Sequence, residues 1–279
     1  MYTHRSMRLG ILTCGAIVAL TAGCASPDSR AHVRPPVATA ANGVFVRHLR
    51  VRVDPAHVKD FESLLKLCVA TAKAGPRGTD RSDWLCYREP PGRYWLLSFS
   101  DTIDGFARPG RLPRFVQQLG SSKGPDAAAE MSRRLTGIPH EIEWEVVLQQ
   151  KASWSTVGDM NTATHPKARM MERRIRSGHD AAFDRALAAR TAFLADHGYP
   201  LPIEGFVTRR GDTERAFQVV FPRDWSAFHG TRSFAAFVRA MPPADQTRYA
   251  RVKAALMATM SGAEWYDASF APELSFKAE

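Results

Sequence analysis

Residues 57–65 of this chain are HVKDFESLL, and residues 179–187 are HDAAFDRAL. Both stretches contain His-x3-Phe-x3-Leu, and His57 and His179 lie 122 positions apart. The same shift aligns further residues from about position 52 to 119, among them Arg52 with Arg174, Phe99 with Phe221, Phe106 with Phe228, and Phe115-Val116 with Phe237-Val238. One register kept over this length, with aromatic residues on aromatic residues, indicates an internal repeat.

The repeat divides the chain into two units. The first unit covers residues 44–150, and the second covers residues 168–279, with the repeat itself ending near 276. The polar stretch 151–167 between them is rich in turn formers and is interpreted as a linker. After one deletion, a shift of 121 aligns Glu143-Trp144 with Glu264-Trp265, which predicts two equivalent tryptophans in the core.

The first unit shows a clear order of elements. Residues 44–53 alternate apolar and polar side chains, which is typical of a half-buried strand. A helix follows, because Asp54-Pro55 supplies a capping side chain and an N1 proline. The segments WLCYR and YWLLSFS predict a hairpin around the turn REPPGR. Residues 102–137 predict helix interrupted by prolines and glycines, and IEWEVVL predicts a closing strand.

The second unit repeats this order. The sequence predicts a strand at 169–175, a helix from Ser177, a hairpin around Gly211-Asp212, helices over 225–241 and 244–260, and a strand at 263–270. Each unit is therefore β-α-β-β-α-β, the ferredoxin-like arrangement that packs two helices on one face of an antiparallel sheet. The predicted fold class is α+β.

Two such units in tandem resemble the dimeric α+β barrel superfamily, which includes antibiotic-biosynthesis monooxygenase-like proteins. The stretch SGHDAAF (177–183) is similar to the strand-to-helix junction often found there. The resemblance implies two facing sheets with their helices outside, here closed into one barrel within a single chain. It implies no single activity, because the superfamily contains oxygenases, haem enzymes, isomerases and proteins of no known chemistry.

The N-terminal stretch MRLGILTCGAIVALTAGC (7–24) has the features of a secretion signal. Arg8 precedes an uncharged apolar run that is too short for a comfortable membrane span. Thr21-Ala22-Gly23-Cys24 resembles a bacterial lipobox, although leucine is more usual at the place of Thr21. The resemblance implies cleavage before Cys24 and lipid attachment to it. Met7 could open this signal as well as Met1.

The predicted signal peptide covers residues 1–24, and residues 25–43 form a tether with almost no large apolar side chains. Ala25 and Ser26 follow Cys24 with no aspartate beside the cysteine, which by resemblance to enterobacterial lipoproteins implies the periplasmic face of the outer membrane. The formal charge is +10. This charge is spread along the chain, so it fits a soluble basic surface or weak attraction to anionic lipids or ligands. No nucleic-acid-binding motif is present.

Two cysteines remain after signal cleavage and lipidation. Cys68 lies on the core face of the first helix, and Cys86 lies in the strand WLCYR. A disulfide is geometrically possible in an oxidising compartment, and two buried thiols are the alternative. The second unit has Arg190 and Thr208 at these positions, so such a bond would not belong to the ancestral unit.

Strand alternation supplies the candidate site. One face of 44–53 carries His48, Arg50 and Arg52, and the equivalent face of the second unit carries Met170, Glu172 and Arg174. Glu141, Glu143 and Glu145 alternate on a strand expected beside the first. These side chains would line either a polar pocket in the barrel or a cross-strand charge ladder without function. The candidate pocket comprises His48, Arg50, Arg52, Tyr94, Glu143, Glu172 and Arg174.

Three hypotheses for function follow. The first is a non-catalytic envelope lipoprotein whose barrel binds a small ligand or a protein partner. The second is a cofactor-independent oxygenase or isomerase that uses His48, Tyr94 and an arginine. The third is haem binding through His229 or His140. His57 and His179 are interpreted as boundary residues of duplicated helices, and no metal site or catalytic residue is predicted.

Overall fold

The computed structural model describes residues 44–74, 84–106, 124–156, 162, 164–212, 214–230 and 233–276. The first unit contains β1 (Phe45–Val53), α1 (Val58–Ala74), β2 (Trp84–Glu89), β3 (Arg93–Ser100), α2 (Pro125–Gly137) and β4 (His140–Gln150). The second contains β5 (Lys167–Ile175), α3 (Asp180–Asp196), β6 (Ile203–Arg210), β7 (Arg215–Val220), α4 (Trp225–His229), α5 (Phe234–Arg239), α6 (Pro243–Ala258) and β8 (Met260–Phe270).

The eight strands form one closed antiparallel ring in the order β1-β3-β2-β8-β5-β7-β6-β4. Each unit contributes four neighbouring strands, and the units join where β2 pairs with β8 and β6 pairs with β4. This confirms the predicted fold, in which two tandem ferredoxin-like units close an α+β barrel within one chain. The predicted signal peptide, Cys24 and the tether lie outside the described residues.

The element boundaries differ from the predictions at a few places. The helix predicted over 225–241 is two short helices, because the first ends at Gly230 and Ser233 caps the second by accepting the Ala236 amide at 3.1 Å. The last strand begins at Met260, three residues earlier than predicted. No helix in the described part of the chain is both long and apolar enough to cross a membrane.

The repeat is visible in the register of the elements. The helices α1 and α3 have equal length and start 122 residues apart, and Phe61 and Phe183 are buried at equivalent positions. His57 closes a 3-10 turn before α1, and His179 directly precedes α3. Both histidines therefore mark helix boundaries.

The prediction of two equivalent core tryptophans is wrong. In the ring, β1 pairs Arg50 with Trp144 and β5 pairs Glu172 with Glu264, so the last strands align at a shift of 120. Trp144 consequently faces the barrel interior, whereas Trp265 lies on the outer face and is 56% exposed. One residue of slip moves a side chain to the opposite face of a sheet, and sequence identity alone could not detect it.

A short segment after the last strand of each unit packs into the core of the other unit. These segments, Ala152–Trp154 after β4 and Pro272–Leu274 after β8, each with the serine that follows, are called arms. After β4, Trp154 is buried against Phe183 of the second unit, and Ser155 accepts the amide of Gly205 at 3.0 Å. After β8, Leu274 is buried in the first unit. Ser275 there accepts the amide of Cys86 at 2.9 Å, as the counterpart of Ser155.

The arms stabilise the contact between the two units. A Cβ atom on Gly205 would lie 2.2 Å from Cβ of Trp154, so only glycine permits the tryptophan at this distance. Trp154 belongs to the stretch predicted as a linker, and the structure gives it a core position. The boundaries of the units stay predictions.

Cys68 and Cys86 are buried free thiols in the core between α1 and the outer face of the first sheet. Burial raises the pKa of Cys68 to about 12 and raises that of Cys86 further. The structure thus contains the second of the two predicted alternatives, a pair of unreactive thiols.

Candidate functional site

Alternate strand residues fill the barrel interior. On β1, Val46, His48 and Arg50 point inward, whereas Val51 and Val53 pack beneath α1. The apolar interior is formed by Val44, Val46, Leu85, Tyr87, Trp95, Val146, Leu148, Ala168, Met170, Phe206, Phe217, Phe221 and Ala268. Charged residues gather at one end of this packed core.

Arg50 lies at the centre of the charged end. Its guanidinium donates two hydrogen bonds to Glu89, one of them from Nε to Oε2 at 2.9 Å. Its Nη1 lies 3.1 Å from Oε2 of Glu143, and its Cζ lies 4.6 and 4.1 Å from the ring centroids of Trp144 and Tyr266. Two carboxylates and two aromatic faces therefore surround this charge, which makes Arg50 a structural group.

A β-bulge decides which glutamates face inward. The register between β1 and β4 shifts at Glu143, which is the extra residue. Glu145, which alternation alone places inward with Glu141 and Glu143, instead lies opposite Leu49 and pairs with Arg47 on the outer face. The prediction of three glutamates on one face is therefore wrong for Glu145.

The remaining charges of the first unit form a ladder. Arg52 lies opposite Glu141 and forms an ion pair with it, in which the side chains are 52% and 58% exposed. Glu143 accepts a hydrogen bond from Nε of Arg93 at 2.8 Å. The exposed pair of Arg52 and Glu141 contributes about 0–1 kcal/mol.

Glu172 anchors the charges of the second unit. It is almost completely buried, and its Oε2 accepts a hydrogen bond from the Tyr266 hydroxyl at 3.1 Å. Its Oε1 lies 3.2 Å from Nη1 of Arg215 and 3.7 Å from Nε of Arg174. The same hydroxyl also lies 2.5 Å from Oε2 of Glu264, and burial, followed by this hydrogen bond, raises the pKa of Tyr266 well above its usual range. The Tyr266 hydroxyl thus stays protonated, and the side chain connects Arg50 of the first unit with Glu172 of the second.

The structure brings most of the predicted pocket residues together but pairs them with one another. Arg50, Arg52 and Glu143 form one group, and Glu172 and Arg174 form another across Tyr266. A cavity of about 200 Å³ opens beside the second group, lined by Glu172, Arg174, Ser261, Gly262, Ala263 and Glu264. The arrangement matches the predicted charge ladder more closely than a pocket for an anion.

His48 lies deeper in the barrel, between two tryptophans. Its ring meets Trp95 and Trp144 edge-on, with centroids 5.8 and 5.7 Å apart. The side chain is 1% exposed, and its Nε2 has no hydrogen-bond partner among the described residues. Burial, and then the charge of Arg50, lower the pKa of His48 to about 3. His48 is therefore neutral at physiological pH.

Tyr94 does not belong to this group, so its place in the predicted pocket is wrong. It lies opposite Val51 on β3, and both residues face the helix layer. Its hydroxyl donates to Oε1 of Glu62 on α1 at 2.9 Å. The inward neighbour is Trp95, because adjacent strand residues point to opposite faces. His48 and Tyr94 consequently cannot act on one substrate.

A larger cavity lies outside the barrel, between the β5–β8 strands and helices α4 and α5. It has a volume of about 470 Å³ and is lined by Arg169, Phe228, His229, Ser233, Phe234, Ala235 and Trp265. We call it the outer cavity. The volume falls within the range of small-molecule sites, and the space is widely open to solvent.

Arg169 and His229, two polar groups of the outer cavity, differ in how freely they can contact a ligand. Arg169 donates to both oxygens of Asp267, from Nε at 2.6 Å and from Nη2 at 2.5 Å, and its Cζ lies 4.8 Å from the ring centroid of Phe228. His229 lies at the exposed end of α4, with its ring stacked at 5.8 Å on Trp225. The histidine is thus the more available of the two.

The other predicted haem ligand, His140, lies elsewhere. It begins β4, and its Nδ1 is 2.8 Å from the carbonyl oxygen of Ile138. It lines neither of the two cavities described above. Among the residues whose structure is described, no group of three or more His, Cys, Asp or Glu side chains could hold a metal ion.

Similar structures are found among proteins of very different sequence. A provisionally assigned monooxygenase from Fusobacterium nucleatum superposes with a TM-score of 0.51 at 9% identity, covering 83% of this chain and 94% of its own. An anthrone oxidase-like protein gives 0.51 at 10% identity, covering 84% and 94%. A mutant chlorite dismutase from Candidatus Nitrospira defluvii gives 0.46 at 8%, covering 82% and 92%.

The chain has the dimeric α+β barrel fold. The likeness extends over most of the chain and agrees with the ring of two four-stranded sheets. Sequence identities near 10% are evidence for a shared fold but not for a shared activity. No protein-family model matches the sequence, and no curated protein matches it significantly. Function in this dimeric α+β barrel must therefore be argued from its own side chains.

Sequence reasoning missed the outer cavity. Its walls come from β5, β8 and the segment around α4 and α5, which are distant in sequence. Trp265 gave no signal of this cavity, because the repeat alignment placed it in the core and its unusual exposure is seen only in the structure.

Proposed function

We propose that this protein is a lipid-anchored lipoprotein of the bacterial outer membrane, facing the periplasm, and that its barrel domain binds a small ligand in the outer cavity. The observation that supports ligand binding most directly is the cavity of about 470 Å³ with aromatic walls. The charged barrel interior is a poorer candidate, because its arginines and glutamates pair with one another.

The lining of the outer cavity indicates the class of ligand. The exposed indole of Trp265 offers a flat apolar surface on which an aromatic or conjugated molecule can stack, and the more buried rings of Phe228 and Phe234 add to the apolar lining. His229 and Ser233 can donate or accept hydrogen bonds at the rim. A largely apolar planar molecule with one polar or acidic substituent fits this pattern.

Ligand binding can be tested with the fluorescent probe 8-anilinonaphthalene-1-sulfonate, which has this chemistry. The probe should bind with a single saturable increase in fluorescence. Ala235→Trp should abolish the increase by filling the cavity, because Ala235 lines it. Ala255→Trp on the exposed side of α6 is the matched control and should bind the probe as before. Equal binding by both variants would contradict the proposal.

The lipid anchor rests on the sequence before residue 25. The charged start, the apolar run and the small residues before Cys24 support cleavage and lipidation there. Cys24→Ala should release the protein from membrane pellets and abolish labelling by an alkyne fatty acid. Cys14→Ala is the control, since this cysteine would leave with the signal peptide. Unchanged labelling of Cys24→Ala would refute the anchor.

Haem binding is a second candidate function, favoured by the position of His229 on the outer cavity. Its imidazole could ligate a haem iron, and the exposed indole of Trp265 could pack against a porphyrin. Arg169 is less suited to pair with a propionate, because Asp267 already occupies its guanidinium. Titration with haemin should give a Soret band that His229→Ala removes. Absence of the band in the unaltered protein would eliminate this candidate.

The hypothesis of a cofactor-independent oxygenase or isomerase gains no support from the barrel interior. His48 is sealed between two tryptophans, and Tyr94 lies on the other face of the sheet. A general base must lie within hydrogen-bond reach of the proton that it removes. His48 is not accessible to a substrate in this arrangement.

A further inference from the structure

Two buried arginines in the second unit have no acidic partner among the described residues. Arg173 lies on the outer face of β5 and Arg190 on α3, and they are 4% and 5% exposed. Neither forms an ion pair with a residue in the described ranges, and Nη1 of Arg173 has no hydrogen-bond partner there. Burying a charge without a partner is costly in free energy, so this pair demands a physical explanation.

Both arginines share a single neutral acceptor. Nη2 of Arg173 and Nη1 of Arg190 each donate to Oε1 of Gln218 at 3.1 Å. The amide of Gln218 cannot be reversed, because its Nε2 donates at 3.0 Å to the carbonyl oxygen of Trp154, which can only accept. A second Nε2 contact, to Oγ1 of Thr191 at 3.0 Å, holds the same orientation. Two positive charges therefore converge on one uncharged oxygen.

The first unit shows that the fold does not require charge at this place. The positions equivalent to Arg173, Arg190 and Gln218 are occupied there by the apolar residues Val51, Cys68 and Leu96. Val51 and Cys68 are buried in a continuous apolar core. The second unit thus has a polar version of a site that the same fold fills with apolar side chains.

We propose that Arg173 and Arg190 bind a small monovalent anion, of the size of chloride or of a single carboxylate group such as formate. The anion supplies the missing counter-charge and accepts the free donor of Arg173, with Gln218 fixing the geometry of both guanidiniums. Because Gln218 and Nη1 of Arg173 are closed to solvent, only a small anion that shifts the neighbouring side chains slightly can reach them. This site is independent of the ligand proposed for the outer cavity.

Arg173 remains charged at neutral pH although its surroundings disfavour the charge. Burial and the charge of Arg190 lower the pKa of Arg173 to about 9, which still leaves it protonated at neutral pH. Arg190 lies 4.7 Å from the ring centroid of Phe234, an interaction that favours a cation but does not neutralise it.

Thermal unfolding at constant ionic strength tests the proposal. Gluconate, which is too bulky to enter, serves as the background anion, and chloride, formate or phosphate replaces part of it. Chloride or formate at about 100 mM should raise the midpoint temperature of unfolding by roughly 3–6 °C if it binds only the folded state with a dissociation constant of about 10 mM. An unchanged midpoint in all anions would overturn the proposal, as would a response to phosphate without one to chloride or formate.

Variants locate the effect. Arg190→Met should lose the anion response, whereas Arg185→Met, an equal change at an exposed position of α3, should retain it. If Arg190→Met fails to fold, the triple variant Arg173→Val, Arg190→Leu, Gln218→Leu restores the apolar pattern of the first unit. The triple variant should fold, and its midpoint temperature of unfolding should be the same in every anion. A full anion response in either variant would refute the site.

Discussion

Arg50 holds Glu89 by two parallel hydrogen bonds inside the barrel, and both side chains are almost fully shielded from water. The indole of Trp95 donates to the same carboxylate at 2.7 Å. Two residues further along β1, Arg52 pairs with Glu141 in a setting that is more than half exposed. The same strand therefore carries a buried and an exposed version of one interaction.

The two pairs should differ sharply in their contribution to stability. Arg50→Met leaves Glu89 as a buried unpaired charge and should lower the free energy of unfolding by about 3–5 kcal/mol. Arg52→Met should lower it by about 0–1 kcal/mol, because water screens the exposed pair. Urea unfolding measures both values. Equal losses would show that Arg50 is not the structural group described here.

His48 should make the protein sensitive to acid. Its pKa in the folded state is about 3, so between pH 6.5 and 3 the unfolded chain binds a proton that the folded chain does not. The stability contributed by neutral His48 is complete above pH 6.5 and is lost as the pH falls, by at most about 1.4 kcal/mol per pH unit.

The variant His48→Met tests this window, since the second unit has Met170 at the equivalent interior position. It should show a shallower loss of stability from pH 6 to 4 than the unaltered protein. His57→Met, at a partly exposed helix boundary, should keep the original profile. A steep acid profile in His48→Met would assign the effect to other groups.

Cys68 and Cys86 should remain reduced in the mature protein. Both thiols are buried in one core, where burial raises their pKa values and suppresses thiolate chemistry. Ellman titration of denatured protein should detect two more thiols than in the double variant Cys68→Ala, Cys86→Ala. No difference between the two proteins would demonstrate a disulfide.

The arm after β4 should be essential for the second unit. Trp154→Ala removes an indole that packs against Phe183 and donates to Asp184 at 2.9 Å, and should cost about 3–5 kcal/mol. Trp265→Ala, an equal change at an exposed position, should cost less than about 1 kcal/mol. Similar losses in both variants would contradict the role of the arm.

The sequence by itself determined the repeat, the order of the elements and the fold class. His57 and His179, with the phenylalanines that follow them, set one register that the helices keep without a gap. The alternation of residues 45–53 also placed His48 and Arg50 inward, because strand geometry has a period of two residues.

Other features depend on how distant strands pair and on which residues become neighbours in space. Only the tertiary structure decided these features. The bulge at Glu143 turned Glu145 outward, and a slip of one residue separated Trp144 from Trp265, since each shift reverses every side chain beyond it. The convergence of Arg173 and Arg190 on Gln218 joins a strand, a helix and a second strand, so no local pattern predicts it.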